Sequence, residues 1–110
     1  MEKKPIIVCL CGSTRFPDAW KKAHREESLA GKIVLSVGTM VHAGDSPIRE
    51  DCPEKRLLDE LHLRKIDLAD EVLILNVNGY IGESTQRELT YALVEKKKIR
   101  FLESIKEERK

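Results

Sequence analysis

Two short apolar runs, IIVCLC at residues 6–11 and EVLILNV at residues 71–77, constrain this chain more than anything else in it. Both are rich in aliphatic and β-branched side chains, and both end on turn formers: Gly12 after the first, Asn78 and Gly79 after the second. Runs this short that are apolar without alternation are strands covered on both faces, the signature of a parallel sheet. Parallel neighbours cannot be joined by a hairpin, so the intervening sequence has to supply crossover helices.

Helical spacing appears in those places. After Gly12, Ser13 or Thr14 can cap a helix that has Pro17 in its first turn, recurs apolar at Ala19, Trp20, Ala23 and Leu29, and stops at Gly31. Ile33–Val37 reads as a second strand. Residues 38–53 hold Gly38, Gly44, Asp45, Pro47 and Pro53 and read as a long loop, in which Met40, His42 and Asp45 either cover a site or belong to a solvated linker. Glu54–Ala69 makes a second helix with a stripe of Leu57, Leu58, Leu61, Leu68 and Ala69, and Thr85–Lys97 a third with Leu89, Ala92 and Leu93 inward. Ile99–Leu102 is a last strand before the charged tail ESIKEERK. Strands alternating with helices predict an α/β fold: a small doubly wound, flavodoxin- or Rossmann-like parallel sheet of four to five strands with helices on both faces. Ligands of such sheets sit outside the carboxyl ends of the strands, here Gly12–Arg15, Gly38–His42 and Asn76–Thr85.

The 110 residues suffice for one domain, 1–110, with a modest core, and a homo-oligomer is expected because a chain this short gains by burying a face against its own copy. Twenty basic and nineteen acidic side chains leave a net charge of +1, which favours neither a nucleic-acid polymer nor an anionic membrane. No apolar run approaches the roughly 18 residues of a spanning helix, and MEKKP leads into a strand without a cleavage signal, so a soluble cytoplasmic protein is expected. Cys9 and Cys11 lie two apart on one face of a strand and read as small buried hydrophobes in a reducing compartment; Cys52 is assigned no role, and no metal or cofactor is expected.

The turn CLCGSTRF poses a chemical question. A glycine closing a buried strand lets the backbone turn sharply, and the amides that open the next helix carry partial positive charge. Gly12, Ser13, Thr14 and Arg15 together offer amides, hydroxyls and a two-pronged guanidinium, a seat for phosphate or carboxylate; the competing reading is a capped helix start with a solvated arginine. The segment matches neither GxxxxGK[ST] nor GxGxxG, which disfavours a nucleoside triphosphatase and a dinucleotide cradle. The second turn, NGYIGESTQRE at residues 78–88, adds Asn78, Gly79, Gly82, Ser84 and Thr85 as candidate binding residues and places Glu88 one turn into a helix. Thr85 and Glu88 also have the spacing of a capping box, so the acid either folds back onto its helix start or does chemistry.

ADEVLILNVNGYIGESTQRELTYALVEKKKIRFLE resembles the C-terminal half of the nucleoside 2-deoxyribosyltransferase family, and CLCGSTR is similar to the phosphate-binding opening of its deoxynucleoside-monophosphate N-glycosidase branch. The likeness spans about two thirds of the chain and leaves out residues 38–56. It implies a nucleotide or nucleoside N-glycosidase, or a 2-deoxyribosyltransferase-like enzyme, acting without a cofactor on a small-molecule substrate. It also implies that Glu88 is the glutamate that attacks or stabilises the anomeric carbon, while Gly12, Ser13 and Arg15 hold a 5′-phosphate. A carboxylate facing an anomeric carbon can trap it as a glycosyl ester, as in retaining glycosidases.

Three positions depart from the family pattern: Cys9 replaces a tyrosine, Gly82 stands where an Asp or Ser is common, and His62 falls near an acidic position, with Asp59 and Asp67 close by. His62 is either a general acid for the leaving base or a helix-surface histidine. Asp67 and Asp70 either join the site, cap the start of a strand or face solvent. The rival from another class is a catalytically silent nucleotide-binding module of the same fold; a hydrolase of dinucleotides is disfavoured because the chain is small for both halves.

Overall fold

The computed structural model describes residues 4–37 and 53–103. The loop expected over 38–53, with Met40, His42, Asp45 and Cys52, lies outside the described residues but for Pro53, as does the tail after Glu103. The elements are β1 (Ile7–Gly12), α1 (Pro17–Leu29), β2 (Ile33–Leu35), α2 (Pro53–Leu68), β3 (Glu71–Leu75), a 3₁₀ turn (Val77–Gly79), α3 (Glu83–Val94) and β4 (Lys98–Phe101). The strands form one sheet in the order β2-β1-β3-β4, every neighbouring pair parallel. This is the expected α/β architecture, with four strands. The chain runs outward from β1 to β2 and then crosses back to β3, so the strand order reverses between β1 and β3, where such sheets bind ligands.

Alternation along β1 divides the core. Val8 and Leu10 pack with Trp20 and Ala23 of α1 and with Leu73 and Leu75, whereas Cys9 and Cys11 pack with Ile66 of α2, Ala92 of α3, Val72 and Ile74 on the other face. Gly12 makes the central strands' close approach possible: a Cβ there would lie 2.9 Å from Leu75 Cβ.

Several expectations need correction. The cap of α1 is Phe16, without a side-chain hydrogen bond, not Ser13 or Thr14, and the helix opens on Pro17. α3 starts two residues earlier than predicted, behind Gly82, so Thr85 lies inside the helix and Glu88 in its second turn; no side-chain capping bond forms and the capping-box reading fails. Leu29, Leu57, Leu61, Leu68 and Leu93, expected to face inward, are exposed. The inward side of α2 is instead drawn from His62 and Ile66, with Leu63 half-buried. Among the described residues no helix is long and apolar enough to cross a membrane.

Both helix ends that precede an edge strand use the same hydrogen-bond pattern. At the end of α1, Gly31 takes φ +87° while its N–H reaches the Ser28 carbonyl and that of Lys32 reaches Glu27; at the end of α3, Lys96 takes φ 62° with N–H bonds from Lys96 to Leu93 and from Lys97 to Ala92. Near the amino ends of the strands, the buried Glu71 carboxylate accepts from Lys32 Nζ (2.8 Å) and Arg100 Nη2 (2.9 Å), and Glu27 accepts from the same two cations at 3.2 and 2.6 Å. Asp70 Oδ2 accepts the Ile7 N–H at 2.8 Å, so of its possible roles the structure displays the closing of a strand start.

Candidate functional site

The first turn leaves the sheet at Gly12. The Ser13 carbonyl accepts Trp20 Nε1–H at 2.9 Å, and Ser13 Oγ accepts the Arg15 N–H at 3.2 Å, which fixes the turn to the helix that follows. Arg15 is exposed, and its guanidinium lies 4.7 Å from the centre of the Tyr80 ring. Phe16 meets the same ring edge-on at 6.0 Å.

Tyr80 belongs to the second turn, which leaves β3 through Asn76. That buried amide spans to Glu103, donating to its carbonyl and accepting its N–H at 3.0 and 2.9 Å. Asn78 sits at φ 55° with its N–H donated to Glu103 Oε2 at 2.9 Å, and Gly79 at φ 79°. A Cβ on Gly82 would come within 3.0 Å of the Tyr80 hydroxyl. The two predicted turns therefore meet over the strand-order reversal, joined by Tyr80. Tyr80 is not among the binding residues expected from the sequence, although an aromatic between Gly79 and Gly82 is a visible signal.

Glu88 stands apart from its own helix start. Its Oε1 lies 3.9 Å from His62 Nε2, and the carboxylate also interacts with the Cys11 thiol. His62 Nε2 in turn lies 3.4 Å from Cys11 Sγ and 3.7 Å from Cys9 Sγ. Thus His62 is no helix-surface residue: it is buried against β1, and its Nδ1 has no hydrogen-bond partner among the described residues.

The cluster shares charge. The hydrogen bond with Cys11, opposed by burial and aided by His62, draws the Cys9 thiol down to about 5. Cys11 is pushed up by that same bond, by burial and by the negative charge of Glu88. Burial pulls His62 down, but the bond to Cys9 and the charge of Glu88 outweigh it and leave the imidazole above its usual value. Burial raises Glu88 above the ordinary carboxylate range, and the His62 charge cancels only part of that rise.

Glu88 also lines an open groove of about 500 Å³ between α2 and α3, together with Ser84, Arg87, Tyr91, Asp59 and Leu63. Of the predicted binding residues, Ser84 shares this groove, accepting from Arg87 Nη2 at 3.3 Å, whereas Gly12–Arg15, Asn78, Gly79 and Gly82 do not line it. Thr85 is buried within α3. Asp67 is engaged by the Tyr91 hydroxyl at 2.6 Å and by Arg64 at 2.9 Å, and Asp59 by Lys55 at 2.9 Å. No protein-family model, curated protein or solved structure matches the chain.

Proposed function

We propose that the chain is an N-glycoside-cleaving enzyme of the nucleoside 2-deoxyribosyltransferase kind, acting on a nucleoside or nucleoside monophosphate through Glu88. The observation that carries the reading is the position of Glu88: its carboxylate is turned away from its helix start, held beside His62, and opens on a groove. In the proposed reaction a Glu88 oxygen attacks C1′ of the sugar. The C1′–N bond breaks, and its electron pair leaves with the base, which takes up a proton. Water then attacks C1′ of the glycosyl ester, releasing the sugar and restoring the carboxylate; a second base in place of water gives transfer.

The buried setting of His62 suits it to hold Glu88 in position, because its Nε2 faces that carboxylate and the two thiols and not open solvent. Arg15, exposed above Tyr80 at the point where the strand order reverses, is the group that meets a 5′-phosphate in this reading. A homo-oligomer belongs to the same reading, supported by the exposed leucines Leu57, Leu61 and Leu68 of α2 and Leu93 of α3; light scattering on the purified protein tests it, and a monomeric mass contradicts it.

The test is release of free base from deoxyribo- and ribonucleoside monophosphates, followed by chromatography. Release by the wild type that is lost in Glu88→Ala supports the enzyme. Release that persists in Glu88→Ala refutes the assigned role, and monophosphate binding without release establishes the silent binding module. Arg15→Ala should weaken the monophosphate and leave the nucleoside unaffected.

A further inference from the structure

Cys9, Cys11 and His62 do not fit the role of packing. All three are buried, come from β1 and α2, and present ligand atoms within 4.8 Å of one another. An ordinary apolar core has no need of two sulfurs and an imidazole converging on one point, with the Glu88 carboxylate 3.9 Å from that imidazole.

We propose that Cys9, Cys11 and His62 form a binding site for a zinc-class divalent cation, with the two thiolates and His62 Nε2 as the gathered ligands and the neighbouring Glu88 carboxylate swinging in to fill the fourth tetrahedral position. The sulfur-to-nitrogen distances are those of a tetrahedron. Zn–S bonds of about 2.3 Å and Zn–N or Zn–O bonds of about 2.0–2.1 Å put S···N edges near 3.6 Å and N···O edges near 3.4 Å. The S···N edges here are 3.7 and 3.4 Å, within a few tenths of an ångström of the ideal, whereas Glu88 Oε1, 3.9 Å from His62 Nε2, stands outside the three-ligand cluster and has to swing in to complete the shell. Two soft sulfurs with one imidazole select zinc or cobalt over magnesium or calcium. Glu88 gives the ion a way in, because it alone of the four lines the groove between α2 and α3. Binding displaces any thiol protons of Cys9 and Cys11 and any proton at His62 Nε2 to solvent, and no oxidant or reductant is required.

This assignment departs from the expectation that the chain takes no metal, and it stands independently of the glycosidase reading: the ion is held whether or not any base is released. Where both hold, the ion competes with the sugar for the Glu88 carboxylate.

The experiment is titration of the reduced, metal-free protein with Co²⁺ followed by displacement with Zn²⁺, read by absorption. One equivalent of Co²⁺ should produce thiolate-to-cobalt charge-transfer bands and the visible bands of a tetrahedral site, and Zn²⁺ should abolish both. Cys9→Ser and Cys11→Ser should each lose about half of the charge-transfer intensity and weaken binding at least as much as loss of a ligand's supporting partner does, roughly 10- to 100-fold. Cys52→Ser should leave the spectrum unchanged, and Glu88→Gln should keep the charge-transfer bands while altering the visible ones. Absence of thiolate bands in the wild type overturns the proposal, whatever the variants do. Loss of the bands in Cys52→Ser overturns the ligand assignment.

Discussion

Replacing Glu71 by glutamine removes one negative charge from the centre of an ion network with Glu27, Lys32, Lys98 and Arg100 without changing side-chain size. Glu71 is 2% exposed and faces Lys32 at 2.8 Å, Arg100 at 2.9 Å and the exposed Lys98 at 3.9 Å, and Glu27 shares the first two of these cations. Breaking a fully buried pair costs about 3–5 kcal/mol. The Lys32 and Arg100 side chains keep 22% and 32% of their exposure, so water and Glu27 take up part of the loss. E71Q should therefore destabilise by about 2 kcal/mol, or roughly 8–16 °C in Tm for a domain of this size.

The pH dependence supplies a second reading of the same substitution. Burial pushes Glu71 up, but the hydrogen bond from Lys32 and the charge of Arg100 more than cancel it, leaving the carboxyl below its ordinary 4.5; Glu27 is lowered likewise, chiefly by Arg100 and Lys32 against burial. As the medium is acidified the unfolded chain binds protons first. The network's contribution is thus complete above 4.5 and shrinks as the pH falls through the lower folded values. Urea denaturation at about pH 7 and about pH 3.5 should show wild type and E71Q well apart at the first and closer at the second. A difference below about 0.5 kcal/mol at neutral pH would refute the idea that this network matters to the fold.

Other substitutions test separate parts of the account. Gly12→Ala drives a methyl to 2.9 Å from Leu75 Cβ, so β1 and β3 must part; stability should fall by about 1–3 kcal/mol in denaturant, and an unchanged midpoint contradicts the close approach. Lys96→Gly should stabilise by about 1 kcal/mol in the same assay, because a side chain at φ 62° pays a steric penalty that glycine does not. A neutral result there would mean that the α3 end adopts another backbone conformation in solution.

The sheet was legible because its signal is local. IIVCLC and EVLILNV are apolar without alternation, and Gly31 ends α1 where glycine is the expected stop. The helix faces were less legible. Leu57, Leu61, Leu68 and Leu93 have the spacing of inward stripes, yet beside the expected Ala92 the described chain covers His62 and Ile66 instead, and hydropathy alone ranks a leucine above a histidine for burial. Nor did the sequence reveal what Cys9 and Cys11 face, since the alternation that put them on one side of β1 says nothing of which helix residue lies opposite. That pairing with His62 spans more than fifty residues and is set by the crossover through α2. At the turns, the residue types were visible, but the helix start at Glu83 in place of Thr85 removed the capping box and freed Glu88.

The central functional claim is that a Glu88 oxygen becomes bonded to the sugar. Rapid acid quench of the protein with a deoxynucleoside monophosphate, followed by mass spectrometry of its peptides, tests this directly. The account predicts a transient adduct with the mass of the substrate less its base, on the peptide that contains Glu88 and absent from Glu88→Gln. An adduct on another residue, or base released without an adduct and undiminished in Glu88→Gln, contradicts it.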